Sequence, residues 1–145
     1  MIMAIIESYE VPADLYYTRD HAWVRIEGNQ IRIGVTDFMQ KMAGEITFIR
    51  LPRAGKDLGT DKTLFTLQSG KWSGKVMVPV AGKVVDANKD LAAMQKPMND
   101  EPYGKGWVAL MEPVNMDDVA SQLLFGDAAI AFLKDEIKRN AQAKP

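Results

Sequence analysis

The sequence predicts one mainly β domain of short strands, with helices added at its C-terminal end. Three observations carry this reading. Apolar and polar residues alternate in short runs bounded by turn-forming residues. A hexapeptide pattern, Leu51-Pro52-Arg53-Ala54-Gly55-Lys56, returns 27 residues later as Val78-Pro79-Val80-Ala81-Gly82-Lys83. After Pro113 the apolar spacing changes from period two to a helical period.

Taken in order, residues 1–14 read as an N-terminal extension closed by a turn around Pro12. Trp23-Val24-Arg25-Ile26 and Ile31-Arg32-Ile33-Gly34-Val35 alternate as strands, and Glu27-Gly28-Asn29-Gln30 between them makes a hairpin turn. Asp37 offers a helix N-cap with Gln40 three positions on, Phe38 to Ala43 form a short helix, and Gly44 closes it in the left-handed conformation. Strands follow over Glu45 to Leu51, Thr63 to Gln68 and Lys75 to Val80, with Pro79 implying an edge or a strand end. Val84-Val85 starts another strand, Asn88 to Met98 is a helical turn plus loop, and Trp107 to Met111 is the last strand. Asn115 then caps a helix of about ten residues, near the usual helix length. Beyond Gly126, Asp127 caps a second helix with Ile130, Leu133 and Ile137 on one face and Lys138 and Arg139 suited to its C-terminal end. The domain is thus read as residues 15–112, with 113–145 as helices and a frayed tail.

With 145 residues, the chain supports one domain with a core and is too short for two comfortable ones. A formal net charge of −1 gives no global electrostatic case for nucleic acid or an anionic membrane. There is no cysteine, so disulfides, thiolate nucleophiles and Cys-ligated metals are excluded, and redox chemistry has to arrive with a cofactor. Met1 to Ile6 is too short and lacks the basic flank of a signal peptide, and no apolar run approaches membrane-spanning length. The expectation is a cytoplasmic protein.

Three places merit a chemical reading. Lys71 stands at the tip of the hairpin between the two copies of the repeat, bracketed by Gly70 and Gly74, which are read as supplying positive φ for a tight turn. A surface lysine there is ordinary; a duplicated frame around it suits presentation of the amine to a modifying enzyme. Its unperturbed pKa is about 10.4, so acylation uses the minor neutral form, which nearby Lys75 favours slightly. His21, the only histidine, lies beside Asp20; it either lines a pocket or bonds a turn, and without a second histidine or a serine elbow it builds no zinc site or triad. Asn99-Asp100-Glu101-Pro102-Tyr103-Gly104-Lys105-Gly106-Trp107 is acidic enough to suggest a metal, although its proline and glycines favour a folded loop. No constellation for stand-alone catalysis appears.

Several of these segments together resemble the H protein of the glycine cleavage system: Tyr17-Thr18-Arg19-Asp20-His21-Ala22-Trp23-Val24, Gly34-Val35-Thr36-Asp37, Gly44-Glu45-Ile46, Leu51-Pro52 with Gly55, Pro79-Val80-Ala81-Gly82, and Asn99 to Trp107. The resemblance covers about Leu15 to Met111. It implies a barrel-sandwich hybrid fold and a non-enzymatic carrier bearing lipoic acid as a covalent lipoyl-lysine. Family glycines sixteen residues before and eleven after the modified lysine correspond to Gly55 and Gly82, which selects Lys71 over Lys75. By the same resemblance His21 lies near the pocket into which the arm folds.

The chain also departs from that family. Gln68-Ser69-Gly70-Lys71-Trp72 stands where Glu-Ser-Val-Lys-Ala is typical, and His21-Ala22-Trp23 where His-Glu-Trp is. Arg50, Arg53 and Lys56 occupy positions that are usually acidic. Reversed charge beside the arm changes which partners are attracted, and Trp72 is a candidate docking anchor. This pattern is similar to H-protein-like lipoate-binding proteins of bacterial sulfur oxidation. The expected partners are a lipoate-attaching enzyme and a heterodisulfide-reductase-like complex, with the glycine cleavage enzymes as the alternative. A biotin carrier fits less well, because its lysine is flanked by methionines. A binding module that kept the fold without the lipoyl group is the reading from another class.

Overall fold

The computed structural model describes residues 3–70 and 72–143. It opens with a hairpin of β1 (Met3–Ile6) and β2 (Tyr9–Pro12), paired Met3 with Pro12 through Ile6 with Tyr9. The expected plain extension is therefore a hairpin, and Pro12 ends its second strand. Glu7 and Ser8 turn it with φ of 49° and 76°. Positive φ at both turn residues is the two-residue geometry usually marked by Asn-Gly, so these side chains hide the turn from inspection.

β3 (Tyr16–Tyr17), β4 (Ala22–Glu27) and β5 (Gln30–Val35) follow, with the expected turn at Gly28 and φ of 67° there. α1 (Asp37–Ala43) is capped by Thr36, whose hydroxyl accepts the Met39 N–H at 3.1 Å. Asp37, the expected cap, is instead the first helical residue, one position inside the observed cap. Gly44 does carry positive φ, 80°, but with ψ of −156° it lies outside the left-handed helical region.

Next come β6 (Ile46–Arg50), β7 (Asp57–Leu58), β8 (Thr63–Ser69), β9 (Ser73–Met77) and β10 (Gly82–Ala87). Residues 88–100 hold two short helices, α2 (Asp90–Ala93) and α3 (Lys96–Asp100), in place of a single helical turn. β11 (Ala109–Pro113) precedes α4 (Asp117–Gln122) and α5 (Asp127–Ala143). The Asn115 side chain accepts the Asp117 N–H at 3.0 Å, as a capping residue does, but α4 has six residues where about ten are expected. α5 runs past Lys138 and Arg139, so those cations lie outside its last turn.

β3-β4-β5-β11-β10-β7 form a six-stranded sheet and β6-β8-β9 a three-stranded one, antiparallel throughout. The two sheets face one another as a sandwich rather than a closed barrel, as a barrel-sandwich hybrid should. Val24, Ile33, Leu67, Val76, Val84 and Met111 fill the space between them. A second core joins Leu15, Trp23 and Phe38 to Ala129 and Leu133, with Ile137 packed against it. Burial of that helix face, where each fully covered aliphatic side chain is worth ~1.5–3 kcal/mol, docks α5 on the β-structure. No helix among the described residues is long and apolar enough to cross a membrane.

Candidate functional site

The β8–β9 hairpin ends in the pair Ser69 and Trp72. The Ser69 N–H donates to the Trp72 carbonyl at 2.8 Å, leaving Gly70 and Lys71 between the strands. Lys71 itself lies outside the described residues. Gly70 is exposed, and a Cβ on it would meet nothing within 4 Å. Neither Gly70 nor Gly74 has a φ between +20° and +160°, so their expected role as positive-φ residues does not hold. Gly74 serves a different purpose: the Trp72 ring lies over it, 2.3 Å from where a Cβ would stand. A shallow depression of ≈ 300 Å³ beside the tip is lined by Gln68, Ser69, Trp72 and Ser73.

Behind the tip, the end of each repeat copy lies against residues just beyond the other copy. Gly82 pairs with Leu58 and Lys83 with Asp57, while the Gly55 N–H donates to the Val84 carbonyl at 2.7 Å. The two glycines are required for unlike reasons. Gly55 has a φ of 90° with open space around it; a Cβ on Gly82 would sit 2.5 Å from the Glu112 carbonyl oxygen and 2.8 Å from Pro113 Cα. Gly55 therefore answers a dihedral and Gly82 a close approach of backbones.

His21 closes a turn at a φ of 68°, a region that histidine enters more readily than bulky residues do. Its carbonyl accepts the Thr36 N–H at 3.0 Å, and its Nε2 stands 2.9 Å from Glu136 Oε1. The ring lies between Phe38 and Phe132, with centroids 4.7 and 5.5 Å away. Burial holds its pKa below the ordinary histidine value, against the opposing hydrogen bond and charge of Glu136 and the charge of Asp20. The cavity here measures only ≈ 20 Å³, because α5 fills the space. A larger groove of ≈ 370 Å³ opens nearby between Thr18-Arg19-Asp20 and Met77-Val78-Pro79. Asp20 joins its two sides by accepting the Met77 N–H at 2.8 Å. The sequence reading missed this cover: Phe132 and Glu136 sit on a helix whose expected apolar face was drawn through Ile130, Leu133 and Ile137 alone.

The acidic motif after Asn99 staples the fold. Asn99 donates to the Gly44 carbonyl at 2.8 Å and to Gln40 Oε1 at 3.0 Å, and accepts the Ile46 N–H at 2.9 Å. The Pro102 carbonyl accepts the indole N–H of fully buried Trp23 at 2.8 Å. Tyr103 accepts the Asp37 N–H and donates to the Glu10 carbonyl, so its hydroxyl stays protonated; burial pushes its pKa up. Among the described residues no cluster of carboxylates and histidine suits a metal. The folded-loop reading of this motif matches these contacts.

Arg50, Arg53 and Lys56, spread over seven positions of sequence, come together on one cleft of ≈ 600 Å³. The chain has no cysteine to provide its own redox couple. An exposed Gly70 at the end of the hairpin, with an indole and a depression beside it, fits a lysine-borne prosthetic arm, which needs a rigid base and a nearby surface and no ligand set.

A family model described as "Glycine cleavage H-protein" matches residues 15–136. A relative from Sulfolobus acidocaldarius named "Probable glycine cleavage system H protein 2" is 41% identical over 139 residues, 93% of each chain. One from Aquifex aeolicus, "Glycine cleavage system H protein 4", is 35% identical and covers 94% of this chain and 80% of its own. The crystal structure of a glycine cleavage system H protein from Mycobacterium marinum superposes with a TM-score of 0.75 over 87% of this chain and 98% of that one; at 24% identity it speaks for the fold.

Proposed function

This chain belongs to the glycine cleavage H-protein family, and from that premise we propose that it is a lipoyl carrier of the glycine cleavage system with its arm attached at Lys71. Members of the family are carriers, not catalysts, and bear lipoate on a lysine. The observation that carries the assignment is the position of Lys71 in the chain, sixteen residues after Gly55 and eleven before Gly82, with Gly82 paired to Leu58 just beyond the first repeat copy. When attached, the lipoyl group supplies a disulfide/dithiol couple that this cysteine-free chain lacks.

The protein's own residues hold and present. The Ser69–Trp72 hydrogen bond fixes the base of the arm, Gly70 leaves the ligase unobstructed access, and Trp72 over Gly74 offers an apolar shelf. The groove between Arg19-Asp20 and Pro79 begins at Met77, at the far end of β9 and about 20 Å along the strand from Lys71 at 3.3 Å per residue. His21 forms the inner wall of the adjoining seam, where α5 covers it and Glu136 meets its Nε2. The partners on this reading are a lipoate-attaching enzyme, glycine decarboxylase and an aminomethyltransferase.

Expression with lipoate should shift the intact mass by one lipoyl group, and Lys71→Arg should abolish the shift. The lipoylated protein should then support glycine-dependent exchange of carbon dioxide with glycine decarboxylase. An unshifted mass beside a modified control protein would remove the carrier reading. The gathering of Arg50, Arg53 and Lys56 on one cleft favours a second reading, service to a heterodisulfide-reductase-like complex of sulfur oxidation. The names of the relatives support glycine cleavage over it. Full lipoylation with no exchange activity would reverse that order.

A further inference from the structure

Resting on the carrier reading of Lys71, we infer that Phe48 is the anchor on which the lipoate-attaching enzyme docks when it engages the hairpin. β6 is irregular at this residue. Ile46 pairs with Ser69 and Phe48 with Gln68, so Thr47 is one residue too many, a β-bulge. Ile46 and Ile49 are buried, whereas Thr47 and Phe48 between them both face solvent. Strict alternation from Ile46 would set Phe48 opposite fully buried Leu67 and send its ring into the core. The bulge turns the ring outward instead and leaves the residue 49% exposed. The Thr47 hydroxyl donates to the Gln68 carbonyl at 3.4 Å, which ties the bulge to β8.

The place of the ring gives it a use. Phe48 lies one strand, about 5 Å, from the residues that form the base of the tip. Its cross-strand partner Gln68 stands opposite Ser73, and both line the depression beside the tip with Ser69 and Trp72. Thr47, Gln68 and Ser73 are themselves exposed, so one apolar ring sits within a polar border. That is the layout of an interface anchor and its rim. Phe125, a comparably exposed ring, is stacked on Tyr16 with centroids 4.6 Å apart. Among the described residues Phe48 stacks on no aromatic ring.

The chemistry of attachment selects the partner. The neutral Lys71 amine attacks the carbonyl carbon of a lipoyl-adenylate; the amide bond forms, the acyl–phosphate bond breaks, and AMP and the amine's proton leave. At that stage the amine ends a bare four-carbon stem. The attaching enzyme therefore has to close on the hairpin itself and meet the strand beside it. Enzymes that act later find the dithiolane at the end of a longer arm and can stay clear of β6.

The test uses the full unmodified chain with a lipoate-attaching enzyme, lipoate and ATP, and follows attachment by intact mass. Phe48→Ser should raise the KM for the chain at least about tenfold with kcat nearly unchanged, as loss of a docking contact does. Phe48→Tyr should restore the wild-type value. Ile26→Ser removes a comparably exposed side chain from β4 and should leave the rate unchanged. Lys71→Arg accepts no lipoyl group and should compete with the wild type for the enzyme. Lys71→Arg/Phe48→Ser should compete at least about tenfold less well, the scale of ~1.4 kcal/mol. Equal urea midpoints for the wild type and Phe48→Ser are expected, since the ring lies outside the core. A wild-type KM in Phe48→Ser, or two equally strong competitors, would overturn the docking role and leave the carrier reading standing. A wild-type chain that takes up no lipoyl group would overturn both.

Discussion

Nε2 of His21 stands 2.9 Å from Oε1 of Glu136, joining residues 115 positions apart and fastening α5 over the turn that precedes β4. The histidine is largely buried against Phe38 and Phe132, so its neutral form is favoured in the fold despite the carboxylate. That burial makes the docking of α5 sensitive to acid, and the Glu136 contact works against it.

Because the His21 pKa is lowered on folding, the unfolded chain binds more protons in the window between the lowered value and the ordinary one near 6.5. The stability it contributes is complete above about pH 6.5 and is lost as pH falls through that window. The slope for one proton is at most about 1.4 kcal/mol per pH unit. Urea midpoints should fall faster below pH 6.5 in the wild type than in His21→Asn, which tolerates the same positive φ. Parallel curves would show that His21 does not titrate on unfolding.

Gly34→Ala should destabilise by about 1–3 kcal/mol, the usual range for overpacking. A Cβ there would stand 2.7 Å from the Trp23 ring, which is fully buried and tied through its N–H to Pro102. Chemical denaturation measures the loss, and Trp23 fluorescence should report a displaced ring.

Asn99→Asp should be as damaging as Asn99→Ala, costing about 2–3 kcal/mol, because three hydrogen bonds converge on the amide and each is worth about 1 kcal/mol net. The carboxylate retains the acceptor for the Ile46 N–H but has nothing to donate to the Gly44 carbonyl. A near-neutral aspartate variant in urea unfolding would contradict this account of the motif.

Gly55 and Gly82 should respond differently to substitution. Gly55→Asn is expected to be milder than Gly55→Ala, since asparagine tolerates positive φ. Gly82→Asn and Gly82→Ala should both cost more than Gly55→Asn, because either Cβ meets the backbone at Glu112 and Pro113. Thermal midpoints of the four variants separate the two mechanisms; one common pattern would refute the distinction.

Gly74→Ala should move the Trp72 ring off its shelf with little loss of stability, since the crowded atoms are the free end of a half-buried side chain. Lipoate attachment should slow while the urea midpoint changes by less than about 1 kcal/mol, as for most exposed substitutions. An unaltered attachment rate would detach Trp72 from the arm's environment.

Local signals in the sequence were sufficient wherever a strand carried alternation and its turn carried glycine, as from Trp23 to Val35 and from Thr63 to Gln68. The repeat around Lys71, the absence of cysteine and the motifs of the H-protein resemblance likewise determined the family and the kind of chemistry. They failed where the turn residues were atypical, as at Glu7-Ser8, or where a strand such as β7 was too short to show a period. Tertiary structure alone decided that Arg50, Arg53 and Lys56 share one cleft, that β8 outruns β6, and that Glu136 covers His21. Those relations join chain segments whose nearness is set by sheet register and helix docking, and no local pattern of residues encodes a distance across the fold.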